Sequence, residues 1–157
     1  MNARSIRNKI PDLQLLARDI DPDIISVTES WLSNDFDSSS LGLLGYNIFR
    51  TDRNYGEDPH GGVFLAVKST LHPKLMESDP NNELLIVNIR VGTICKNIIT
   101  AYRTTAMNTN RNIEFVDAVR SKIENEINFV IIGDLNYPGI DWEALSSNCG
   151  SERYFLD

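Results

Sequence analysis

Residues 129–136 read Phe-Val-Ile-Ile-Gly-Asp-Leu-Asn, a short apolar run that ends in an acid and an amide. The aromatic and β-branched residues of this run predict a fully buried β-strand. The strand is expected to end near Gly133, which places Asp134 where the chain enters a loop. A carboxylate at that point is held by a rigid sheet and still faces solvent, as many binding and catalytic residues do.

The same pattern occurs earlier in the chain. Residues 24–27 read Ile-Ile-Ser-Val and are followed by Thr28, Glu29, Ser30 and Trp31. A second buried strand therefore delivers Glu29 at its C-terminal end. Two acids in matching contexts suit a hard divalent cation such as Mg²⁺, which takes one or two carboxylates together with water and phosphate oxygens. The alternative is that each acid only caps its strand or pairs with a base.

Asp134 and Asn136 are separated by one residue. In an extended chain, alternate side chains project to the same side, which would put the carboxylate beside the amide. The acid could then accept a proton from water while the amide holds a nucleophile or a phosphate oxygen. The alternative is an Asx turn, which Asn-Tyr-Pro-Gly at 136–139 suits well.

Apolar periodicity predicts the remaining elements. Helices are expected at 11–20 and 113–127, and further strands at 46–50, 62–68, 83–91 and 94–102. Alternation over 86–91 is typical of a half-buried strand, and Gly92-Thr93 predicts a hairpin turn after it. This mixed order favours an α/β fold with two packed mixed sheets and helices outside them, over a single doubly wound sheet. We find no internal repeat or linker, so residues 1–157 are interpreted as one domain.

Composition narrows the class of protein. With 41% hydrophobic and 24% charged residues, the 157-residue chain is typical of a globular domain. Its net charge of −7 has the wrong sign for binding nucleic acid by bulk electrostatics alone, although a bound cation would reverse the local field. No run approaches the roughly 18 apolar residues of a membrane span, and the first residues lack the apolar core of a signal peptide. We therefore expect an intracellular protein with no membrane partner.

Six short motifs run through nearly the whole chain. They are Asn-Ala-Arg-Ser at 2–5, Pro-Asp-Ile-Ile at 22–25, Thr-Glu-Ser-Trp-Leu at 28–32, Gly-Gly-Val at 61–63, Ala-Tyr-Arg at 101–103 and Gly-Asp-Leu-Asn-Tyr-Pro-Gly-Ile-Asp-Trp at 133–142. In these motifs the chain resembles the endonuclease/exonuclease/phosphatase superfamily, and specifically the endonuclease domain of non-LTR retrotransposons. The motifs at 28–32 and 133–142 are the most specific for the retrotransposon branch.

The resemblance implies a four-layer α/β/β/α sandwich and a Mg²⁺-dependent endonuclease that nicks target DNA for target-primed reverse transcription. It also implies a nuclear location and a downstream reverse transcriptase domain on the same polypeptide. The resemblance implies that Glu29 binds Mg²⁺ and that Asn2 lies near the same metal. It implies that Tyr102 contacts the scissile phosphate and that Asp134 orients or deprotonates water. It also implies that Asn136 binds phosphate and that Arg103 contacts a DNA phosphate. The alternatives are a core-filling phenol for Tyr102, a surface cation for Arg103 and a turn residue for Asn2.

Two departures from the family pattern affect these expectations. Thr-Thr-Ala stands at 104–106, where the branch usually has prolines. The family also completes its site with a further acid and a terminal Ser-Asp-His element, whereas no such residues follow Asp157. We therefore expect the domain to lack its C-terminal portion and its site to be incomplete. Two other functions stay open: a catalytically inactive remnant or binding domain of retrotransposon origin, and a phosphatase or phosphodiesterase of the same superfamily.

Overall fold

The computed structural model describes residues 1–53, 60–124, 126 and 128–157. The chain divides into two compact units. The first unit comprises Met1–Tyr102 and Asn128–Asp134, and the second comprises Arg103–Ile127 and Leu135–Asp157.

In its described residues the first unit contains one α-helix and seven strands. These are α1 (Ile10–Ile20), β1 (Ile24–Thr28), β2 (Tyr46–Thr51), β3 (Val63–Lys68), β4 (Lys74–Asp79), β5 (Leu84–Val91), β6 (Ile94–Tyr102) and β7 (Phe129–Asp134). The second unit contains α2 (Thr109–Ile123) and α3 (Gly150–Leu156). None of the helices in the described residues is long and apolar enough to span a membrane.

The strands form two sheets. The first has the order β1-β3-β2 and is antiparallel. The second has the order β4-β5-β6-β7 and is mixed, because β6 and β7 run parallel. The hairpin between β5 and β6 lies where the sequence predicts it, with Val91 opposite Ile94 and Gly92 at a left-handed φ of 63°.

The N-terminal residues extend the first sheet beside β1. The Ala3 N–H donates to the Thr28 carbonyl at 2.8 Å, and the Thr28 N–H donates to the Met1 carbonyl at 2.9 Å. Asn2 and Thr28 form a parallel bridge between these bonds. The pairing fixes Asn2 next to the C-terminal end of β1.

The core of the first unit has two layers of apolar contacts, and β3 contributes to both. Val63, Leu65 and Val67 pack with residues of β5 and β6, so this layer lies between the two sheets. Phe64 and Ala66 point to the opposite face, where they pack with the buried side of α1. Alternate strand residues face opposite sides of a sheet, which explains why β3 is apolar throughout. The predicted α/β class with two packed sheets and helices is confirmed.

One burial prediction was wrong and another holds only in part. The strand at 129–132 was expected to be fully buried, yet Val130 is 41% exposed. Within the described residues β7 pairs only with β6 at the end of its sheet, which leaves this side chain partly uncovered. The half-buried alternation expected over 86–91 is present from Val87 to Arg90. Leu84–Val87 are all buried, because β5 lies between β4 and β6 with apolar layers nearby.

The second predicted helix is displaced toward the N-terminus. It begins at Thr109 because the Asn108 side chain caps it, accepting a hydrogen bond from the Arg111 N–H at 3.0 Å. It ends at Ile123, whereas the periodicity predicts 113–127. Residue 127, the predicted end of this helix, lies outside the described residues.

Candidate active site

Four of the six predicted site residues lie in the first unit, each at the end of a strand. Glu29 directly follows β1, and Asn2 is paired to the last residue of β1. Tyr102 ends β6 and Asp134 ends β7, and these two residues are partners in the parallel register. Pairing within the first sheet therefore places Glu29 beside Asn2, and pairing within the second places Tyr102 beside Asp134. Contacts of β1 with β6 and β7 bring the two pairs together.

Hydrogen bonds connect these four side chains. Asn2 Nδ2 donates to Glu29 Oε1 at 2.7 Å and to Asp134 Oδ2 at 2.9 Å. The Tyr102 hydroxyl donates to the same Glu29 oxygen at 2.8 Å. The Asn2 side-chain oxygen accepts a hydrogen bond from the Arg4 N–H at 3.2 Å, which fixes the direction of the amide. Two carboxylates thus lie within hydrogen-bond distance of a single nitrogen.

The Tyr102 phenol is held in its neutral form. Burial raises its pKa above the ordinary value, and the hydrogen bond to the Glu29 carboxylate and the negative charge of that group raise it further. Tyr102 is only 8% exposed. The phenol is therefore a hydrogen-bond donor at neutral pH, oriented by Glu29.

The backbone around Glu29 has an unusual conformation. Glu29 has a φ of 51° and Trp31 a φ of 53°, values that residues other than glycine seldom adopt. The segment is held by hydrogen bonds on both sides: the Ser5 N–H donates to the Glu29 carbonyl, and the Ser30 N–H donates to the Gly62 carbonyl, each at 3.0 Å. Strained backbone of this kind concentrates at functional sites, where surrounding structure maintains it.

The donor set of this cluster suits a hard cation. Among the described residues, no three or more His, Cys, Asp or Glu side chains gather as a metal-binding group. Two carboxylates and an amide nevertheless match the way proteins bind Mg²⁺, which keeps several water ligands and accepts phosphate oxygens. Glu29 and Asp134 are the residues that fit, with Asn2 orienting both of them.

Arg103 and Asn136 lie in the second unit and bind each other there. Arg103 Nη1 donates to the Asn136 carbonyl at 2.9 Å, and Asn136 Nδ2 donates to the Arg103 carbonyl at 2.7 Å. Arg103 Nε also donates to Asn112 Oδ1 at 2.8 Å, and its guanidinium lies 4.2 Å from the centre of the Tyr137 ring. Arg103 is only 6% exposed, so it is not the surface cation of the alternative interpretation. Its contact with a DNA phosphate stays a prediction.

Asn136 does not continue the extended chain of β7. The strand ends at Asp134, and Asn136 has a left-handed φ of 51°. The expectation that residues 134 and 136 project side by side from extended backbone was therefore wrong. The turn chemistry of Asn-Tyr-Pro-Gly prevails because asparagine tolerates this conformation.

Comparison with known proteins places this geometry in a family. The model of the Endonuclease/Exonuclease/phosphatase family matches residues 1–154. The chain belongs to this family. A search of curated protein sequences found no match.

Solved structures of similar fold include three that act on nucleic acid or come from a mobile element. An AP endonuclease from Archaeoglobus fulgidus superposes with a TM-score of 0.67 at 16% identity, covering 98% of this chain and 66% of that protein. The endonuclease domain of TRAS1, a telomere-specific non-LTR retrotransposon, gives 0.67 at 14%, covering 99% and 67%. The 3′ phosphatase NExo from Neisseria, bound to a product DNA hairpin, gives 0.62 at 19%, covering 89% and 57%.

These likenesses establish the shared fold. The chain spans less than two thirds of the length of the archaeal and Neisseria proteins. Like these structures, the chain has the two-sheet α/β architecture of the Endonuclease/Exonuclease/phosphatase family.

Sequence reasoning missed a buried ion pair in the first unit. Glu83 is 1% exposed and pairs with Arg53, whose side chain is 8% exposed. Glu83 stands at the start of a predicted strand, where an acid is commonly a solvated end residue, so its burial could not be recognised. Nothing in the local sequence indicates that a glutamate next to an apolar run pairs with an arginine thirty residues earlier.

Proposed function

We propose that this chain is the larger part of a Mg²⁺-dependent endonuclease domain that cuts one strand of DNA by hydrolysing a phosphodiester bond. One observation carries the proposal: the Asn2 amide joins Glu29 and Asp134, and Tyr102 donates to Glu29, so that four polar groups meet at neighbouring strand ends. A strand-end cluster of two acids, an amide and a neutral phenol can bind a cation and a phosphate together.

Each residue has a distinct role in this proposal. Glu29 and Asp134 would hold Mg²⁺, which when bound polarises the phosphate and stabilises charge on the leaving oxygen. Asn2 keeps the two carboxylates together. The neutral Tyr102 hydroxyl donates its single hydrogen to Glu29 in this structure, and it would turn this hydrogen bond to a phosphate oxygen once Glu29 holds the cation. Asp134 would also orient the attacking water and accept its proton.

Two residues of the second unit complete the assignment. We assign Asn136 as an amide donor to a phosphate oxygen and Arg103 as a cation toward the DNA backbone, as the family resemblance implies. Arg103 and Asn136 hold each other by two hydrogen bonds, so the two assignments are coupled. Loss of either side chain would disturb the other.

DNA of a target site is the substrate we favour, and retrotransposition is the process. The support is the pair of specific motifs at 28–32 and 133–142, together with the similarity of fold to the TRAS1 endonuclease domain. The nick, made in the nucleus, would supply a 3′-hydroxyl. This hydroxyl would prime DNA synthesis by a reverse transcriptase domain on the same polypeptide. Reading the natural sequence beyond residue 157 for a reverse transcriptase tests the second half of this assignment.

A phosphatase acting on small phosphoesters is the second candidate. It is favoured by the net charge of −7, which repels long polyanions more than small substrates. Turnover of a soluble phosphomonoester without cleavage of plasmid would select this function. A protein that binds DNA but cleaves neither substrate would be the inactive remnant.

The deciding experiment for catalysis uses a polypeptide that contains residues 1–157 with their natural adjoining sequence. We expect conversion of supercoiled plasmid to open circles with Mg²⁺, loss of conversion with EDTA, and loss in Asp134→Ala. Nicking that persists in Asp134→Ala would refute the assignment of the site.

The metal half of the proposal is tested on the chain itself, without catalysis. Mg²⁺ should raise the melting temperature, because a ligand that binds only the folded state stabilises it by mass action. Glu29→Ala should remove most of that increment. An equal increment in Glu29→Ala would exclude Glu29 as a metal ligand.

A further inference from the structure

The buried carboxylate of Glu83 makes three connections in the first unit. Its Oε1 accepts hydrogen bonds from Arg53 Nε at 2.9 Å and from Arg53 Nη2 at 2.5 Å. Its Oε2 accepts one from the backbone N–H of Gly62 at 2.5 Å. A charge buried this deeply is tolerated only when it is paired and hydrogen-bonded, and Glu83 meets both conditions.

Gly61 and Gly62 connect Glu83 to the loop that contains Glu29 through backbone hydrogen bonds. The Gly62 carbonyl accepts from the Ser30 N–H at 3.0 Å, and the Gly61 carbonyl accepts from the Trp31 N–H at 2.8 Å. These two amides immediately follow Glu29. The segment that sets the left-handed backbone of Glu29 is therefore tied to a peptide that Glu83 holds.

The glycines are required at both positions. A Cβ at Gly61 would overlap the Arg53 guanidinium and the Glu83 carboxylate, and Gly61 has a φ of 146°. A Cβ at Gly62 would lie 2.9 Å from the Ser30 hydroxyl oxygen, and Gly62 has a φ of 77°. The Gly-Gly pair thus permits the ion pair and the Glu29 loop to approach the same stretch of backbone.

Glu83 reaches the site by a second path through Tyr102. The Glu83 carbonyl accepts a hydrogen bond from the Tyr102 N–H at 3.2 Å, and the Arg53 guanidinium lies 6.0 Å from the centre of the Tyr102 ring. The Tyr102 hydroxyl in turn donates to Glu29. One buried residue therefore supports both the backbone and the side-chain partner of Glu29.

We propose that Glu83, neutralised by Arg53, is a positioning residue that fixes the Glu29 carboxylate in its metal-binding orientation. The consequence for metal affinity rests on the proposed function, whereas the link between Glu83 and the Glu29 loop does not. Residues that orient metal ligands from outside the coordination sphere typically change metal affinity by about 10–100-fold when replaced.

The first test measures the link itself in Mg²⁺-free buffer. Glu83→Gln removes the charge while keeping the shape, and amide hydrogen exchange is followed by NMR. We expect the Ser30 and Trp31 amides to exchange about tenfold faster, with the Val27 amide inside β1 unchanged. Should Glu83→Gln prove too unstable, Arg53→Lys keeps both charges but loses the planar fork and should give a smaller change of the same pattern.

Asp52→Asn is the matched control. Asp52 is the acid of a neighbouring, nearly buried ion pair, with Arg50 at 3.0 Å, and it makes none of the hydrogen bonds that lead to Glu29. The same change from carboxylate to amide should lower stability without accelerating exchange selectively at Ser30 and Trp31. Equal exchange patterns in the two variants would overturn the proposal.

The second test measures Mg²⁺ affinity by calorimetry on the folded variants. We expect Glu83→Gln to weaken binding by about tenfold or more and Asp52→Asn to leave it unchanged. An unchanged affinity in Glu83→Gln, with only the melting temperature lowered, would reduce Glu83 to a stabilising residue. If the parent chain binds no Mg²⁺, the metal half of the proposed function fails, and the exchange pattern alone decides whether Glu83 positions Glu29.

Discussion

The Asn2 side chain connects the two acids of the site, because one amide group donates a hydrogen bond to each of them. Its two N–H bonds point to Glu29 and Asp134, which lie 105 positions apart in the sequence and would otherwise repel each other. The amide carries no charge of its own, so it does not neutralise the two acids that a cation would bind. A lysine at this position would neutralise the acids and compete with the metal.

Tyr102 makes a pH-dependent contribution to stability whose sign follows from its raised pKa. Tyrosine in an unfolded chain titrates near pH 10, whereas burial and Glu29 raise the pKa of Tyr102 in the folded protein. The folded state therefore holds the proton over a range in which the unfolded chain loses it. The stabilisation is fully present below about pH 10 and is lost as the pH rises through the folded pKa.

Tyr102→Phe isolates that contribution. In Mg²⁺-free buffer we expect the melting temperature of the parent to fall more steeply above pH 10 than that of Tyr102→Phe, since only the parent retains this group. Thermal unfolding followed by circular dichroism over a pH series provides the measurement. Parallel curves for the two proteins would show that the Tyr102 pKa is the same in both states.

Asn136 allows catalysis and turn formation to be separated. In a polypeptide that nicks plasmid, Asn136→Ala should lower turnover by about 10²-fold or more if the amide stabilises the transition state. Stability should fall by about 2–3 kcal/mol, because the variant loses the hydrogen bond to the Arg103 carbonyl and alanine tolerates the left-handed φ of 51° less well than asparagine. A variant that is destabilised but cuts normally per folded molecule would leave Asn136 as a turn residue.

The sequence predicted which site residues lie at strand ends but not how they contact one another. Glu29 and Asp134 follow apolar runs that are evident in the sequence. The family motifs identified Asn2 and Tyr102 as further site residues. The hydrogen bonds among them depend on sheet register and on the left-handed backbone at Glu29, which no local pattern reveals. Glu83 was missed for the same reason, because its partner and its burial are set by tertiary structure.

At the scale of elements, the pairing of β6 with β7 positions Asp134, and Gly133 makes that pairing possible. Gly133 lies opposite Ala101, and a Cβ added to Gly133 would overlap the Ala101 carbonyl oxygen. Backbone cannot yield as a flexible side chain can. The glycine that precedes Asp134 is therefore a requirement of close strand approach and not only a mark of the strand end.

Gly133→Ala should destabilise the protein by about 1–3 kcal/mol, the range of other overpacked sites, or more if β7 detaches. Gly150→Ala is the matched control, because a Cβ there meets nothing within 4 Å and alanine favours the helix that begins at Gly150. Chemical denaturation of the three proteins gives the comparison. Equal stability of the two variants would contradict the packing argument at Gly133.

Elements with a clean apolar period were predicted from the sequence, and elements without one were not. Strands β2, β3, β5 and β6 lie within one residue of their expected bounds. The sequence of β4, Lys-Leu-Met-Glu-Ser-Asp, is mostly exposed and its register shifts at an irregularity between Leu75 and Glu77, so alternation does not mark it. Helix α3 has only seven residues and begins with glycine, a weak helix former, so its sequence gives little signal.

At the scale of the whole molecule, the net charge of −7 opposes a polyanionic substrate. Under the proposed function, two of the acids lie in the cluster that a phosphate would approach, so they add local repulsion there. A divalent cation bound there would change the local sign, and unit charges about 4 Å apart near a protein surface interact by up to about 4 kcal/mol. Metal binding and DNA binding should therefore be coupled.

We accordingly expect Mg²⁺ to increase the affinity of the chain for duplex DNA by about tenfold or more, relative to EDTA at equal ionic strength. Fluorescence anisotropy of a labelled duplex measures the affinity, and Ca²⁺ can replace Mg²⁺ where cleavage interferes. Glu29→Ala separates cation binding at the site from screening of the DNA by free cation. The variant has one negative charge fewer, so its affinity for DNA in EDTA should increase slightly. The metal-dependent gain in DNA affinity should largely disappear. A gain of the same size in Glu29→Ala would mean that the cation acts on the DNA alone, and the acidic charge of the molecule would then weigh against DNA as the substrate and in favour of a small phosphoester.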